Sequence, residues 1–259
     1  EAESESNYTE RPAFCRKSLR FGLERQFLMD ISRISTLSFD ADGTLWDHDG
    51  AMYKAMHFTL GELYRHLPDL SGAITVDQMV ATRLEIGYEF QCSDFGLDDL
   101  RAIAIRRSLE KIGVNDLGLA SYLTATYQKR RLETMALFSD TNSALNALAR
   151  KFSLGIITNG TTDPERMGLQ GLFKFVVMAE EHGVQKPDIR IFEIALDQAR
   201  CDPCEIIHIG DSLEDDVKGA NGAGITSVWL NRGADGNPTA IQPTYEVSGL
   251  AEIVGLLCR

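Results

Sequence analysis

Leu37-Ser38-Phe39-Asp40-Ala41-Asp42-Gly43-Thr44-Leu45 decides how the rest of the chain is read. A short apolar run ends in two carboxylates two residues apart, and a glycine follows at once. The pattern predicts a buried strand that stops and delivers both acids to one place. Carboxylates are costly to bury alone, so their companions matter. Taken by itself, Asp-x-Asp-Gly is more often a turn or a calcium-loop signal than a catalytic one. Three later segments, each adjoining its own β-like run, change that balance.

Outward from this stretch the chain alternates. Strand-like runs fall at 36–39, 151–158, 175–178, 205–209 and 225–230, and helical periodicity fills 142–150, 189–200 and 215–223. Strands alternating with helices predict an α/β fold whose parallel sheet is covered on both faces. Ligands of such sheets bind beyond the carboxyl ends of the strands. Residues 50–135 break the alternation. Apolar positions recur there at helical spacing over 52–67, 76–90, 97–112 and 119–132, which predicts a four-helix insertion after the first strand. The chain thus divides into an N-terminal extension (1–32), a sheet core (33–49 and 136–259) and a helical cap (50–135) placed as a lid. The extension begins with a polar, tail-like stretch over 1–10 and carries a short helical pattern over 18–33.

The net charge of −12 argues against a broad face for nucleic acid, and it makes an anionic substrate need a cation of its own. No apolar run has the length of a membrane span, and no signal-peptide pattern is present. The first residue is Glu1 rather than Met, so the native start is expected to be missing or processed. The cysteines at 15, 92, 201, 204 and 258 are irregularly spaced, which fits a reducing, cytoplasmic setting. Cys201-Asp202-Pro203-Cys204 lacks the second pair that a zinc site needs and reads as a helix-to-strand loop.

Asp40 is the candidate nucleophile, because a carboxylate can attack phosphorus and split one hard displacement into two easier ones. Asp42 is the candidate general acid and base for the leaving alkoxide and the incoming water. Crowding of the two is expected to raise at least one carboxyl pKa. Thr158-Asn159-Gly160 follows an apolar run; the Thr158 hydroxyl and the Asn159 and Gly160 amides are candidate phosphate donors, against the hairpin reading that Asn-Gly also carries. Lys186-Pro187 stands before a helix, and Lys186 is a candidate partner for Asp40 and the phosphate. Gly210-Asp211-Ser212-Leu213-Glu214-Asp215-Asp216 follows another apolar run. Asp211 and Asp40, with a backbone carbonyl, supply the sparse hard-oxygen set that suits Mg²⁺. Asp216 supports that metal shell or orients Lys186, with Glu214 as a substitute for either; Asp215 reads as an acid placed for the helix dipole. His48 reads first as a structural histidine and second as lining the site entrance. The Arg106-Arg107 and Lys129-Arg130-Arg131 clusters read as solvated helix faces.

Taken in order, these segments resemble the four motifs of the haloacid dehalogenase superfamily of hydrolases: Asp40-Ala41-Asp42-Gly43-Thr44-Leu45, Thr158-Asn159-Gly160, Lys186-Pro187, and Gly210-Asp211-Ser212 with Asp216. The resemblance runs from about residue 34 to 232. It implies a Rossmann-like core with a helical cap after the first motif. It implies a Mg²⁺-dependent phosphatase acting on a small phosphorylated metabolite through an aspartyl phosphate, with the Asp42 backbone carbonyl also on the metal. Members that remove halide from 2-haloacids lack the second aspartate, so Asp42 favours a phosphatase over a dehalogenase. A phosphomutase shares both acids, and a non-catalytic binding protein of the same fold is the reading from another class. The N-terminal extension has no counterpart in the family pattern.

Overall fold

A computed structural model of the protein describes residues 31–90, 95–234 and 236–258. The strands are β1 (Thr36–Phe39), β2 (Ser153–Thr158), β3 (Phe175–Met178), β4 (Ile206–Gly210), β5 (Thr226–Leu230) and β6 (Tyr245–Val247). They form one parallel sheet in the order β3-β2-β1-β4-β5-β6. From β1 the chain passes to β2 and β3 on one side, and β3 then connects back to β4 on the other side of β1. The connections diverge there, which opens a crevice beyond the end of β1. Register makes the strand ends coincide: Phe39 sits beside Ile156 on β2 and Ile209 on β4. The ladder continues one residue further, with Asp40 N–H donating to Ile209 O at 2.8 Å. Asp40 is therefore locked beside the turn that carries Asp211.

Among the described residues, the sheet core holds five α-helices: α5 (Thr141–Leu148), α6 (Ala179–His182), α7 (Ile189–Ala199), α8 (Gly219–Gly222) and α9 (Leu250–Leu257). Between β1 and α5 lie α1 (His48–His66), α2 (Val76–Glu89), α3 (Leu97–Glu110) and α4 (Leu117–Thr134). These four share an apolar core of their own, in which Met56 and Leu63 of α1 meet Met79, Leu109 and Leu123. Asp47 caps α1 by accepting from Gly50 N at 2.8 Å, and a Thr75–Gln78 capping box starts α2. The linkers into and out of the insertion lie side by side, with Asp47 N donating to Ala136 O at 2.9 Å and Phe138 N to Leu45 O at 3.1 Å. Trp46 is fully buried at this junction.

Two features differ from the sequence expectations, and a third lies mostly outside the described residues. The strand β6 and helix α9 lie beyond the five expected strands; β6 has only three residues, too few to display a period. The helix expected over 215–223 begins instead as a π-helical turn, Leu213–Lys218. The wide turn lets Asp216 fold back, so that its Oδ2 accepts from Ser212 N at 3.0 Å. Of the helix expected over 18–33, only the 3₁₀ turn Ile31–Arg33 is described; its remainder and the tail over 1–10 lie outside the described residues. No described helix is long and apolar enough to cross a membrane.

Gly155 in β2 shows how tightly the sheet is covered. A Cβ there would lie 2.0 Å from the ring of Phe175, its partner on β3. That ring is itself buried, so it has little room to yield. We expect Gly155→Ala to cost about 1–3 kcal/mol, seen as a lower urea midpoint with an unchanged slope. An unshifted midpoint would show that the ring moves freely.

Candidate active site

Each strand end contributes one part of the site. Asp40 follows β1, Thr158 ends β2 and Asp211 follows β4. Lys186 comes from the loop between α6 and α7. Its Nζ donates to Asp40 Oδ1 at 2.5 Å and to Asp216 Oδ1 at 2.6 Å, with all three residues buried. Asn159 fixes the Lys186 backbone by a paired clamp: its Oδ1 accepts from Lys186 N at 2.8 Å and its Nδ2 donates to Lys186 O at 3.1 Å. The Asn159 side chain thus acts on the lysine. The Gly160 amide donates to Thr158 Oγ1 at 2.9 Å, which leaves the threonine hydroxyl hydrogen for another acceptor.

Asp42 faces away from this lysine. It accepts from Trp46 Nε1 at 2.5 Å, and His48 Nδ1 stands 3.4 Å from its Oδ2, near enough for attraction but not aligned as a hydrogen bond. Gly160 admits this placement, because a Cβ there would lie 2.4 Å from Asp42 Oδ2. At Gly43 the backbone adopts φ +84°, and a Cβ would lie 2.4 Å from Asp211 Oδ2. Thr44 Oγ1 donates to Asp211 Oδ1 at 3.1 Å, and Trp229 Nε1 donates to Asp211 O at 2.9 Å.

Behind the acids runs a buried chain that the sequence does not announce. Ser38 Oγ lies 3.0 Å from His208 Nδ1, and His208 Nε2 lies 3.1 Å from Asp216 Oδ1. Burial pushes the His208 pKa down and keeps the ring neutral. The network then assigns the tautomer: Nε2–H donates to the carboxylate and Nδ1 accepts from Ser38. A polar residue inside an apolar strand, as at Ser38 and His208, is the only trace this leaves in the sequence.

The charges are strongly perturbed. Burial pushes Asp40 well up despite the opposing pull of Lys186. Burial also acts on Asp216, but Lys186 and His208 outweigh it and hold that carboxyl below its ordinary range. For Lys186, burial is outweighed by Asp216 and Asp40, so the lysine stays protonated. Burial raises Asp42, and His48, Trp46 and Arg131 together more than reverse it. Asp40 is thus raised by burial and by Asp216 and Asp211 rather than by the expected crowding with Asp42, which moves the other way.

Ligand oxygens of Asp40, Asp211 and Asp216 all lie within 4.8 Å of one another. Asp40 Oδ2 is buried without a hydrogen-bond partner. Three hard carboxylates with one oxygen unpartnered fit a divalent cation, and Mg²⁺ is the ion that accepts so sparse a set. The Asp42 carboxylate is not part of this cluster. Glu214, weighed as a substitute for Asp216, instead turns outward and pairs with Lys218. Asp215 lines the cleft, which reaches about 300 Å³ and is closed on the cap side by Arg83, Leu97 and Arg101. His48 also lines it. Arg131 corrects the expectation of a solvated face: it is only 4% exposed and its Nη1 lies 3.4 Å from Thr162 Oγ1, while Arg106 and Arg107 remain exposed. Cys201 and Cys204 are free thiols in the α7–β4 loop, as expected.

A parallel sheet with a helical insertion after β1, and acids gathered at the ends of β1 and β4, define a family. The chain belongs to the haloacid dehalogenase-like hydrolases, which it matches over residues 34–224. It is 41% identical over 123 residues to the pyrimidine 5'-nucleotidase YjjG of Escherichia coli, covering 45% of this chain and 55% of that one. It is 26% identical over 241 residues to the 5-amino-6-(5-phospho-D-ribitylamino)uracil phosphatase YigB of E. coli, covering 90% of this chain and all of that relative (100%). Among solved structures, a 2-haloacid dehalogenase of Pseudomonas syringae superposes with a TM-score of 0.70 at 29% identity, over 87% of this chain and 99% of that one. The HAD-hydrolase YfnB of Bacillus subtilis, solved bound to magnesium, gives 0.69 at 26% identity, again over 87% and 99%.

Burial and the neighbouring Asp216 push the Asp211 carboxyl up to about 6. A cation needs the deprotonated form, so a proton must be displaced once the pH falls below that value. Asp211 keeps one edge on the cleft, where water screens part of the effect. Mg²⁺ affinity measured by isothermal titration is expected to drop up to about tenfold from pH 7 to pH 5. Equal affinity at both would exclude Asp211 as a ligand with this shift.

Proposed function

We propose that the protein is a Mg²⁺-dependent phosphatase that hydrolyses small phosphate monoesters through an aspartyl phosphate on Asp40. One observation carries this reading: the two acids at the end of β1 are held apart for different work. Asp40 lies against Lys186, and Asp42 lies against Trp46 and His48. An alkoxide leaving group needs a proton and a halide does not, so the second acid favours a phosphate ester. YigB is named as a phosphatase and YjjG as a pyrimidine 5'-nucleotidase, which supports the same class.

The residues divide the chemistry as follows. Asp40 and Asp211, with the Asp42 carbonyl, would hold Mg²⁺, which when bound offsets negative charge on the phosphoryl oxygens. Lys186 favours the ionised form of Asp40 and donates to the phosphate. Asp216 already accepts from Lys186, His208 and Ser212, so it supports the lysine. An Asp40 oxygen forms a bond to phosphorus as the P–OR bond breaks, and Asp42 gives its proton to the departing oxygen. Asp42 is depressed before substrate arrives; a phosphate dianion beside it raises its pKa and lets it take up that proton. In the second half Asp42 removes a proton from water, the water oxygen bonds to phosphorus, and the bond from phosphorus to Asp40 breaks. Thr158 donates to the phosphoryl oxygens throughout. The helical cap, residues 50–135 on this reading, is the lid over a core of 33–49 and 136–259, and the free thiols fit a cytoplasmic setting.

The likeness to a 2-haloacid dehalogenase favours a second reading, tested by halide release from 2-chloropropionate. The phosphatase reading is tested with p-nitrophenyl phosphate and Mg²⁺. Asp40→Asn is expected to lower kcat at least about a thousandfold with an unchanged circular dichroism spectrum. EDTA is expected to stop turnover and added Mg²⁺ to restore it. Near-native activity in the variant would remove Asp40 from its role, and activity indifferent to EDTA would refute the metal. Asp42→Asn is expected to accumulate a hydroxylamine-labile phosphoenzyme, and its absence would count against the two-step scheme.

A further inference from the structure

The acids of the catalytic floor have Lys186 among them; the cap face above carries arginines of its own. Three arginines reach that face from different helices: Arg83 on α2, Arg101 on α3 and Arg131 on α4. Arg83 and Arg101 line the cleft opposite Asp40, Thr158 and Lys186. They also line a second hollow of about 300 Å³ that runs outward past Leu84, Tyr88 and Leu100. The two hollows share Arg83, Leu97 and Arg101. The arginines thus stand beside the route of any leaving group that extends beyond the phosphate.

Charge on this face is only partly compensated. Arg101 is 4% exposed, and its carboxylate partner, Asp98 at 2.5 Å, lies on the exposed side. Its Nε is buried with no hydrogen-bond partner. The Arg131 Nε is in the same position, and among the described residues no carboxylate pairs with Arg131. Arg83, half-buried, also has no ion pair among the described residues. Buried guanidinium groups without anions are costly. In a chain of net charge −12, three arginines gathered on one face, only one of them paired with a carboxylate among the described residues, make a local positive patch.

We propose that this face binds a second anionic group of the substrate, a carboxylate or a second phosphate, carried on the leaving group. The proposal rests on the phosphatase reading above. Arg83 and Arg101 contact the anion, since guanidinium forks match both groups in pairs of hydrogen bonds. Arg131, close enough to Arg101 to feel its charge, adds to the field from behind. The rival explanation is that the arginines merely offset the acids of the floor. That role would favour every phosphate ester alike, so selectivity separates the two.

The test measures kcat/KM of the full chain with Mg²⁺ on matched esters. 3-Phosphoglycerate and glycerol 3-phosphate differ by a carboxylate against a hydroxymethyl group; fructose 1,6-bisphosphate and fructose 6-phosphate differ by a second phosphate. At least one pair is expected to favour the doubly anionic member about tenfold or more, and the favoured pair identifies the anion. Arg83→Met is expected to reduce that ratio at least about tenfold. Arg101→Lys, which keeps the charge and loses the fork, is expected to reduce it as well. Hydrolysis without preference in either pair, or a ratio unmoved by Arg83→Met, overturns this inference and leaves the phosphatase standing. No hydrolysis of any ester, p-nitrophenyl phosphate included, overturns both.

Discussion

The site depends on one buried cation. Lys186 Nζ sits between Asp40 and Asp216, and neither acid tolerates burial without it. Removing one partner from such a group leaves an uncompensated charge, typically about 3–5 kcal/mol of destabilisation. The arrangement is overbuilt for that reason: Asn159 grips the lysine backbone from both sides, and His208 and the Ser212 amide hold Asp216. The group still carries a net negative charge with Asp211 beside it. That residue of charge, together with the unpartnered Asp40 Oδ2, is the physical reason the end of β1 suits a divalent cation.

The sheet topology makes the convergence possible. Strands β2 and β4 flank β1, and both connections leave the crevice free. Four segments that span the chain from residue 40 to residue 216 therefore end in one place. Two glycines remove the bulk that would prevent it, Gly43 beneath Asp211 and Gly160 beside Asp42. The π-helical turn after β4 bends Asp216 back to the lysine. Each of these is a local departure from regular geometry, and each serves an acid.

The cap is a separate packing problem. Its four helices close their own apolar core, yet turn Arg101 and Arg131 toward Thr161 and Thr162 in the loop after β2. Cap and core thus meet in part through polar groups.

The sequence by itself determined the alternating α/β core, the four-helix insertion and the acids worth naming. These follow from local rules: hydrophobic period, strand-end carboxylates, and glycine or proline at the turns. It could not show that Ser38 and His208 form a buried chain to Asp216, because a polar residue in a strand reads the same whether or not it has a partner. It misread Arg131, because a basic run on a helix carries no mark of which side the core takes. Nor did it show Asn159 as a clamp on Lys186. Those outcomes belong to the tertiary structure, because they rest on contacts between segments far apart in the chain, and only packing sets the distances on which charge and hydrogen bonding depend.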